Sequence, residues 1–191
     1  MAADTDPVLC GDARLIERVA LGRRRAGRSV VVADEEAAGA PAPRPGETVV
    51  LVTRPDAHRA GPLRVVAAVR ELPAELPVVD EAADVASELG AELVIAHAVP
   101  LSFGERSIGV DTAVDRGRAT LDAARARVAD HAPRLRVTTS LTRRWAHELL
   151  GEGLDADLLV VGRRRSSAQL GLVSHSAVRH APCPVLLVPR S

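Results

Sequence analysis

The chain has 191 residues, a length that predicts one domain with an appendage rather than two ordinary domains. All 25 basic residues are arginine, and the absence of lysine excludes a Walker A phosphate loop, a protein kinase and Schiff-base catalysis. These arginines balance 25 acidic residues and the chain has two aromatic residues, Phe103 and Trp145, so we expect no nucleic-acid partner.

The cysteines and the amino-terminal residues indicate the cellular compartment in which we expect the protein. Cys10 and Cys183 lie far apart in the chain and form neither a disulfide framework nor a paired metal motif. The first residues are acidic and lack the apolar core of a leader peptide, and no apolar run reaches the roughly 20 residues of a membrane helix. We therefore expect a cytoplasmic protein with no membrane partner.

Residues 1–62 differ in pattern from the remainder and predict an amino-terminal extension. Apolar spacing favours a short helix from Ala13 to Leu21, and apolar runs predict strands at Ser29 to Ala33 and Val49 to Val52. The acidic, proline- and glycine-rich stretch between these strands is typical of a linker. We expect the extension to pack on the main domain or on a partner.

Residues 63–191 alternate between apolar runs and helical patterns. Such alternation predicts a Rossmann-like α/β domain, with a five-stranded parallel sheet and helices on both faces. Ligands of such sheets bind beyond the carboxyl ends of the strands, at the switch point. The predicted strands are Arg64 to Val69, Glu92 to Val99, Leu135 to Leu141, Asp157 to Val161 and Val185 to Val188. Of the four predicted helices, the first begins at Pro77 and stops at Gly90, the second carries Val114, Leu121 and Val128, and the last two are Trp145 to Leu150 and Leu172 to His180.

Three motifs after the third helix resemble the universal stress protein family. They are VVG at Val160 to Gly162, G-x-VSH at Gly171 to His175, and HAPCPV at His180 to Val185. The resemblance covers residues 63–190 and implies the fold that this family shares with the adenine nucleotide alpha hydrolases. It also implies a homodimer through the last strand, Pro184 to Pro189, which would otherwise be an open apolar edge.

Family members that bind ATP carry a G-x2-G-x9-G-(S/T) loop and an aspartate at the end of the first strand. Gly162 and Gly171 match two glycines, but Arg165 stands where the pattern has its second glycine, and the loop is four residues short. Leu172 replaces the serine or threonine, and Arg70 replaces the aspartate, which exchanges a hydrogen-bond acceptor for a donor. The resemblance therefore implies a diverged nucleotide site.

Three consecutive arginines, Arg163, Arg164 and Arg165, precede the predicted helix. Guanidinium groups near a helix amino terminus favour an anion or a nucleotide phosphate, although such arginines also form ordinary solvated loops. His97 follows the second strand, either as a ligand contact or as a structural histidine, and Ser174 suits hydrogen bonding at the helix entry. The candidate nucleotide- or anion-binding residues are Arg70, His97, Gly162, Arg163, Arg164, Arg165, Gly171 and Ser174.

The remaining motifs predict neither a metal site nor a catalytic centre. His180 and Cys183 have H-x2-C spacing, but no further ligands complete a zinc site. Ser174 and His175 are adjacent on a helix and point in different directions, so they form no catalytic pair. Basic residues surround Trp145 and could form a recognition patch, although a tryptophan one turn from Leu149 usually belongs to a core.

Two functions follow from the resemblance. The first is a dimeric binding or interaction module of the stress response, with no turnover chemistry, a diverged or lost nucleotide site and a protein partner. The second is a protein that binds ATP or another adenine nucleotide, with weak or no hydrolysis. A short repeat, LGRRRAGRSVVV from Leu21 against VGRRR from Val161, suggests that the extension is the remnant of a second stress domain or an arginine-rich coincidence.

Overall fold

A computed structural model describes residues 11–33, 49–53, 61–99, 109–151, 153–164 and 170–190. The predicted linker, Cys10 and Arg165 lie outside these residues. The strands are β1 Val30–Ala33, β2 Val49–Val52, β3 Arg64–Ala68, β4 Glu92–Ala98, β5 Val137–Thr142, β6 Leu158–Arg164 and β7 Val185–Arg190. The helices are α1 Gly11–Arg25, α2 Leu76–Leu89, α3 Val110–His131, α4 Ala146–Leu149 and α5 Leu172–His180.

The strands form one sheet in the order β1-β2-β7-β6-β3-β4-β5. Five neighbouring pairs are parallel, and β2 runs antiparallel to β7. The α/β fold and its parallel β3–β7 portion are confirmed. The predicted count of five strands is wrong, because β1 and β2 of the extension join the same sheet.

Helices cover both faces of the sheet, and each face has its own apolar core. On the first face, α2 and α3 pack over buried side chains such as Leu93 and Val160. On the second face, α4 and α5 pack over side chains such as Leu159 and Leu187. Helix α2 ends where sequence rules predict, because Gly90 adopts a left-handed conformation with φ of 66°.

Helix α1 is held on the first face by apolar contacts and by a buried ion pair. Its residues Leu15 and Val19 belong to the first-face core. Arg23, which is 1% exposed, lies 3.3 Å from the carboxylate of Glu81 on α2, and it also pairs with Asp84 and Glu88. Burial favours a lower pKa for Arg23, but the hydrogen bond to Glu88 and the neighbouring carboxylates raise the pKa above its ordinary value.

Strand β2 joins the extension to the last strand of the main domain. Val50, Leu51 and Val52 pair with the β7 residues Leu187, Leu186 and Val185. Strand β7 is therefore an interior strand, with β6 on its other side. The predicted homodimer through Pro184 to Pro189 needs a free hydrogen-bonding edge on this strand, and the chain's own β2 occupies that edge.

The four strands β1, β2, β7 and β6 have an approximate two-fold arrangement. The parallel pair β1–β2 faces the parallel pair β7–β6 across one antiparallel boundary. A remnant of a second domain would present its strands in this way. The remnant origin of the extension and an arginine-rich coincidence both stay open, and the strand arrangement is compatible with either.

Replacing Arg23 with methionine should destabilise the protein by about 1.5–3 kcal/mol, because the buried Glu81 carboxylate loses its hydrogen bond from α1 and keeps only Arg28, at 3.2 Å, as a cation among the described residues. Arg24→Met is the matched control, since Arg24 is the next residue and is exposed. Urea unfolding followed by circular dichroism measures the difference. Equal stabilities of the two variants would show that the ion pair contributes nothing to the docking of α1.

Deleting residues 1–53 should make the remaining domain associate, because it uncovers the apolar β7 edge that β2 covers in the full chain. Deleting residues 1–10 is the control, since that variant keeps α1, β1 and β2. Light scattering at micromolar concentration should report the mass of one chain for the full protein and the control, and a larger mass for the deletion. A two-chain mass for the full protein would instead support the dimer.

Candidate functional site

The carboxyl ends of β3, β4 and β6 meet at one edge of the sheet because these strands are parallel neighbours. The topological switch point lies between β3 and β6, whose following helices cover opposite faces. The structure brings most of the predicted site residues to this edge, which we call the strand-end site. Those residues are Arg70, His97, Gly162, Arg163, Arg164 and Ser174.

A hydrogen bond from Ser174 connects helix α5 to strand β6 at this site. The Ser174 hydroxyl group donates a 2.7 Å hydrogen bond to the carbonyl oxygen of Gly162, and the residue is 6% exposed. Gly171 occupies the N-cap position of α5, and no side chain caps the helix there. The prediction that Ser174 bonds at the helix entry is wrong, because its partner is the preceding strand.

A buried carboxylate lies at the end of β3. Glu75 precedes α2 and is 6% exposed, and its carboxylate accepts hydrogen bonds from the backbone N–H groups of Arg70 and Glu71. Arg190, the last residue of β7, donates to the same carboxylate at 3.3 Å. The carboxylate therefore connects the ends of two strands that are not neighbours, β3 and β7. We call Glu75, its two backbone donors and Arg190 the Glu75 clamp.

Gly162 lies against this clamp and leaves space for it. A Cβ atom on Gly162 would lie 3.3 Å from Val78 Cγ2 and 3.4 Å from both Glu75 Oε1 and Arg190 Cδ. The separation from Val78 is tighter than an ordinary contact, and the other two are at the lower limit of ordinary contact, so a side chain extending beyond Cβ would meet the ion pair. The glycine that sequence comparison assigned to a phosphate loop thus has a packing role beside a carboxylate.

The arginines that follow Gly162 do not form one exposed cluster. Arg163 points to the second face of the sheet and is 5% exposed, and burial lowers its pKa below the ordinary value. Arg164, the next residue along the strand, is exposed. Arg70 at the end of β3 is also exposed. A ligand at the strand-end site can therefore reach Arg70 and Arg164, whereas Arg163 is enclosed.

His97 on β4 makes a structural contact. Its Nδ1 lies 2.9 Å from the carbonyl oxygen of Val69 at the end of β3. Its ring also lies against α3, where a Cβ atom on Gly117 would come within 2.9 Å of His97 Cδ2. The imidazole thus links a strand end to a helix, as expected of a structural histidine.

Sequence reasoning missed Glu75 and Arg190. An acidic residue before a Leu-Pro helix start is typical of an ordinary helix entry, and nothing in its spacing indicates a contact with the end of β3. Arg190 is separated from Glu75 by 115 positions in the chain. Only the order of β7, β6 and β3 in the sheet brings the two side chains together.

The described residues contain neither a membrane-spanning helix nor a metal-binding cluster. None of their helices has the length and apolar content needed to cross a membrane. No group of three or more His, Cys, Asp or Glu side chains within the described ranges could hold a metal ion.

Trp145 is 44% exposed and stacks on His147, so the expectation that it belongs to the core is wrong.

Solved structures resemble this fold. A universal stress protein in complex with cAMP is 24% identical, with a TM-score of 0.52, and the match covers 68% of this chain and 98% of that chain. A universal stress protein from Archaeoglobus fulgidus in complex with dAMP is 20% identical, with a TM-score of 0.55, covering 66% of this chain and 97% of that chain. A functionally unknown protein from Pseudomonas aeruginosa PAO1 is 18% identical, with a TM-score of 0.54.

The Pseudomonas match covers 95% of this chain and 68% of that chain, so it includes the amino-terminal extension. No curated protein matches the sequence significantly. The family model described as the universal stress protein family matches residues 63–189, which is more than half of the chain. The motifs, the parallel β3–β7 sheet and this match agree, and the chain belongs to the universal stress protein family.

Proposed function

We propose that this chain is a cytoplasmic binding or interaction module of the stress response, without turnover chemistry and with a strand-end site that no longer takes a nucleotide in the family manner. The Glu75 clamp is the observation that carries this proposal. It provides an internal anion at the place where a nucleotide-binding relative would present polar groups to its ligand.

The clamp opposes nucleotide binding in two ways. The backbone N–H groups of Arg70 and Glu71 already donate to the Glu75 carboxylate, so a ligand oxygen would have to displace an anion that is tethered to the chain. A phosphate placed beside Gly162 would also approach that carboxylate, and like charges in a partly buried site repel each other. Arg190 neutralises the carboxylate and is thereby occupied itself.

The sequence of the loop after β6 supports the same conclusion. Glycines in a phosphate loop let backbone N–H groups approach phosphate oxygens without interference from a Cβ atom. Arg165 replaces one of these glycines, and five residues separate it from Gly171, so the loop is too short for the family pattern. Leu172 supplies no hydroxyl group where the pattern has serine or threonine.

The second candidate function is adenine-nucleotide binding through arginine contacts. Two relatives of the same fold hold cAMP and dAMP. In this chain the exposed Arg70 and Arg164, together with the uncapped amino terminus of α5 at Gly171, would supply the positive charge. Such a site would recognise the phosphate by guanidinium forks instead of by a glycine loop.

Calorimetric titration separates the two functions. The proposal predicts that ATP, cAMP and dAMP give no binding heat with the full protein at concentrations up to millimolar. The universal stress protein that was solved in complex with cAMP is the positive control for that nucleotide. Arg165→Gly, which restores the second loop glycine, should also give no binding heat, because the loop stays short and the Glu75 clamp stays in place. Saturable binding to the wild type that is lost in Arg70→Gln/Arg164→Gln would establish the second function and overturn the first.

The clamp itself can be tested by stability. Replacing Glu75 with glutamine should lower the free energy of unfolding by about 1–3 kcal/mol, because the charge-assisted hydrogen bonds at the end of β3 and the pairing with Arg190 are lost. Glu71→Gln is the matched control, since Glu71 is exposed and changes the same charge. Urea unfolding of both variants measures the difference, and equal stabilities would contradict a structural role for the carboxylate.

A further inference from the structure

A cavity lies away from the strand-end site, over β3, β4 and β5 on the second face of the sheet. Its volume is about 550 Å³, within the range of about 300–1,000 Å³ that small-molecule sites occupy. None of the predicted site residues lines it. We call this cavity the β5 cleft.

The cleft exists because the connection from β5 to β6 contains little helix. Helix α4 has four residues, whereas α2 and α3 on the opposite face have 14 and 22. A four-residue helix is about 6 Å long, and three strands span about 10 Å between the outer two. Gly151 and Gly153 follow α4, and Gly153 has a φ of 92°, so the helix does not continue across the strands.

The floor of the cleft is mainly apolar. Val66, Val94 and Ala96 project from β3 and β4, and Leu149 from α4 lies at the side. Strand β5 contributes the hydroxyl groups of Ser140 and Thr142 instead of apolar side chains. Thr142 lines the cleft, and its buried Oγ1 has no hydrogen-bond partner within the part of the chain that the structure describes. A buried hydroxyl group of this kind is costly unless a ligand or water bonds to it.

The rim of the cleft carries an excess of positive charge. Arg64 is paired with Asp155 and Glu92, and the carboxylate of Glu148 accepts the backbone N–H of Trp145. Arg143 and Arg144 also line the cleft, and both are exposed. Neither forms an ion pair with any described residue, so their two guanidinium groups are available to an anion.

We propose that the β5 cleft binds a small organic anion with an apolar body, whose anionic group is held by Arg143 and Arg144. The apolar body would lie on Val66, Val94 and Ala96. The long axis of the ligand would follow the strands, because the two arginines lie at the carboxyl end of β5 and the Arg64–Asp155 pair lies near the start of β3. A carboxylate, sulfonate or phosphate group satisfies the same guanidinium geometry.

This inference is independent of the proposed function. None of the residues of the strand-end site lines the β5 cleft, so binding at one site does not depend on the residues of the other. The arginines near Trp145 were singled out as a recognition patch by the sequence, and the strand-end site does not involve them.

Titration with anilinonaphthalene sulfonate, an aromatic organic anion, tests the proposal on the full chain. Trp145 is the single tryptophan and directly follows Arg144, and the chain has no tyrosine, so its fluorescence is a suitable second readout beside the emission of the probe. We expect saturable binding of one probe per chain with a change in Trp145 fluorescence. Arg143→Gln/Arg144→Gln should weaken binding by about tenfold or more, because it removes the charge-assisted contacts.

Three controls separate the effect of charge from the effect of cleft shape. The uncharged probe phenylnaphthylamine should bind the wild type and the double arginine variant equally. Ser140→Leu, which fills the cleft from β5, should weaken both probes, whereas Thr138→Leu changes the same strand outside the cleft lining and should weaken neither. Arg116→Gln/Arg125→Gln removes two exposed arginines from α3 on the other face and should leave binding unchanged.

The proposal is overturned if the wild type binds no sulfonate probe, or if Arg143→Gln/Arg144→Gln binds it as tightly as the wild type does. Equal weakening by the α3 double variant would also overturn it, because the effect would then come from overall charge and not from the cleft.

Discussion

The hydrogen bonds between β2 and β7 determine the architecture of this molecule. An apolar strand at the edge of a parallel sheet exposes a row of unpaired backbone groups, and such edges pair with other chains. Here Val50, Leu51 and Val52 satisfy that row from within the chain. Helix α1 reinforces the arrangement, because its buried Arg23 pairs with the carboxylates of Glu81, Asp84 and Glu88 on α2. The amino-terminal segment is therefore part of the folded sheet, although the family model begins at residue 63.

Strand β7 also supplies Arg190, and this residue connects the sheet order to the chemistry of the strand-end site. The guanidinium group of Arg190 reaches Glu75 across the backbone of Gly162, which lies on the intervening strand. The same small residue that admits a phosphate in a glycine loop here admits a carboxylate–guanidinium pair. A glycine beside the switch point can therefore accommodate either a bound phosphate or an ion pair within the chain.

The two faces of the sheet are covered unequally, and this asymmetry produces the β5 cleft. Long helices close the first face, where α3 buries Leu121 and Val128 against the strands. The single turn of α4 leaves the second face open over β4 and β5. An uncovered apolar floor beside two available arginines is a different chemical environment from the strand-end site, where a buried carboxylate is paired with Arg190.

The sequence by itself determined the α/β class, the family and most element positions, because apolar periodicity, Gly90 and the HAPCPV motif are local signals. It placed β2 at its observed bounds and α5 at Leu172–His180. It could not show that β2 pairs with β7, that Glu75 meets Arg190, or that Arg163 is enclosed while Arg164 is exposed. Those facts depend on strand order and on which face a side chain occupies. Residues more than 100 positions apart become neighbours only when the sheet forms, and no local pattern encodes that contact.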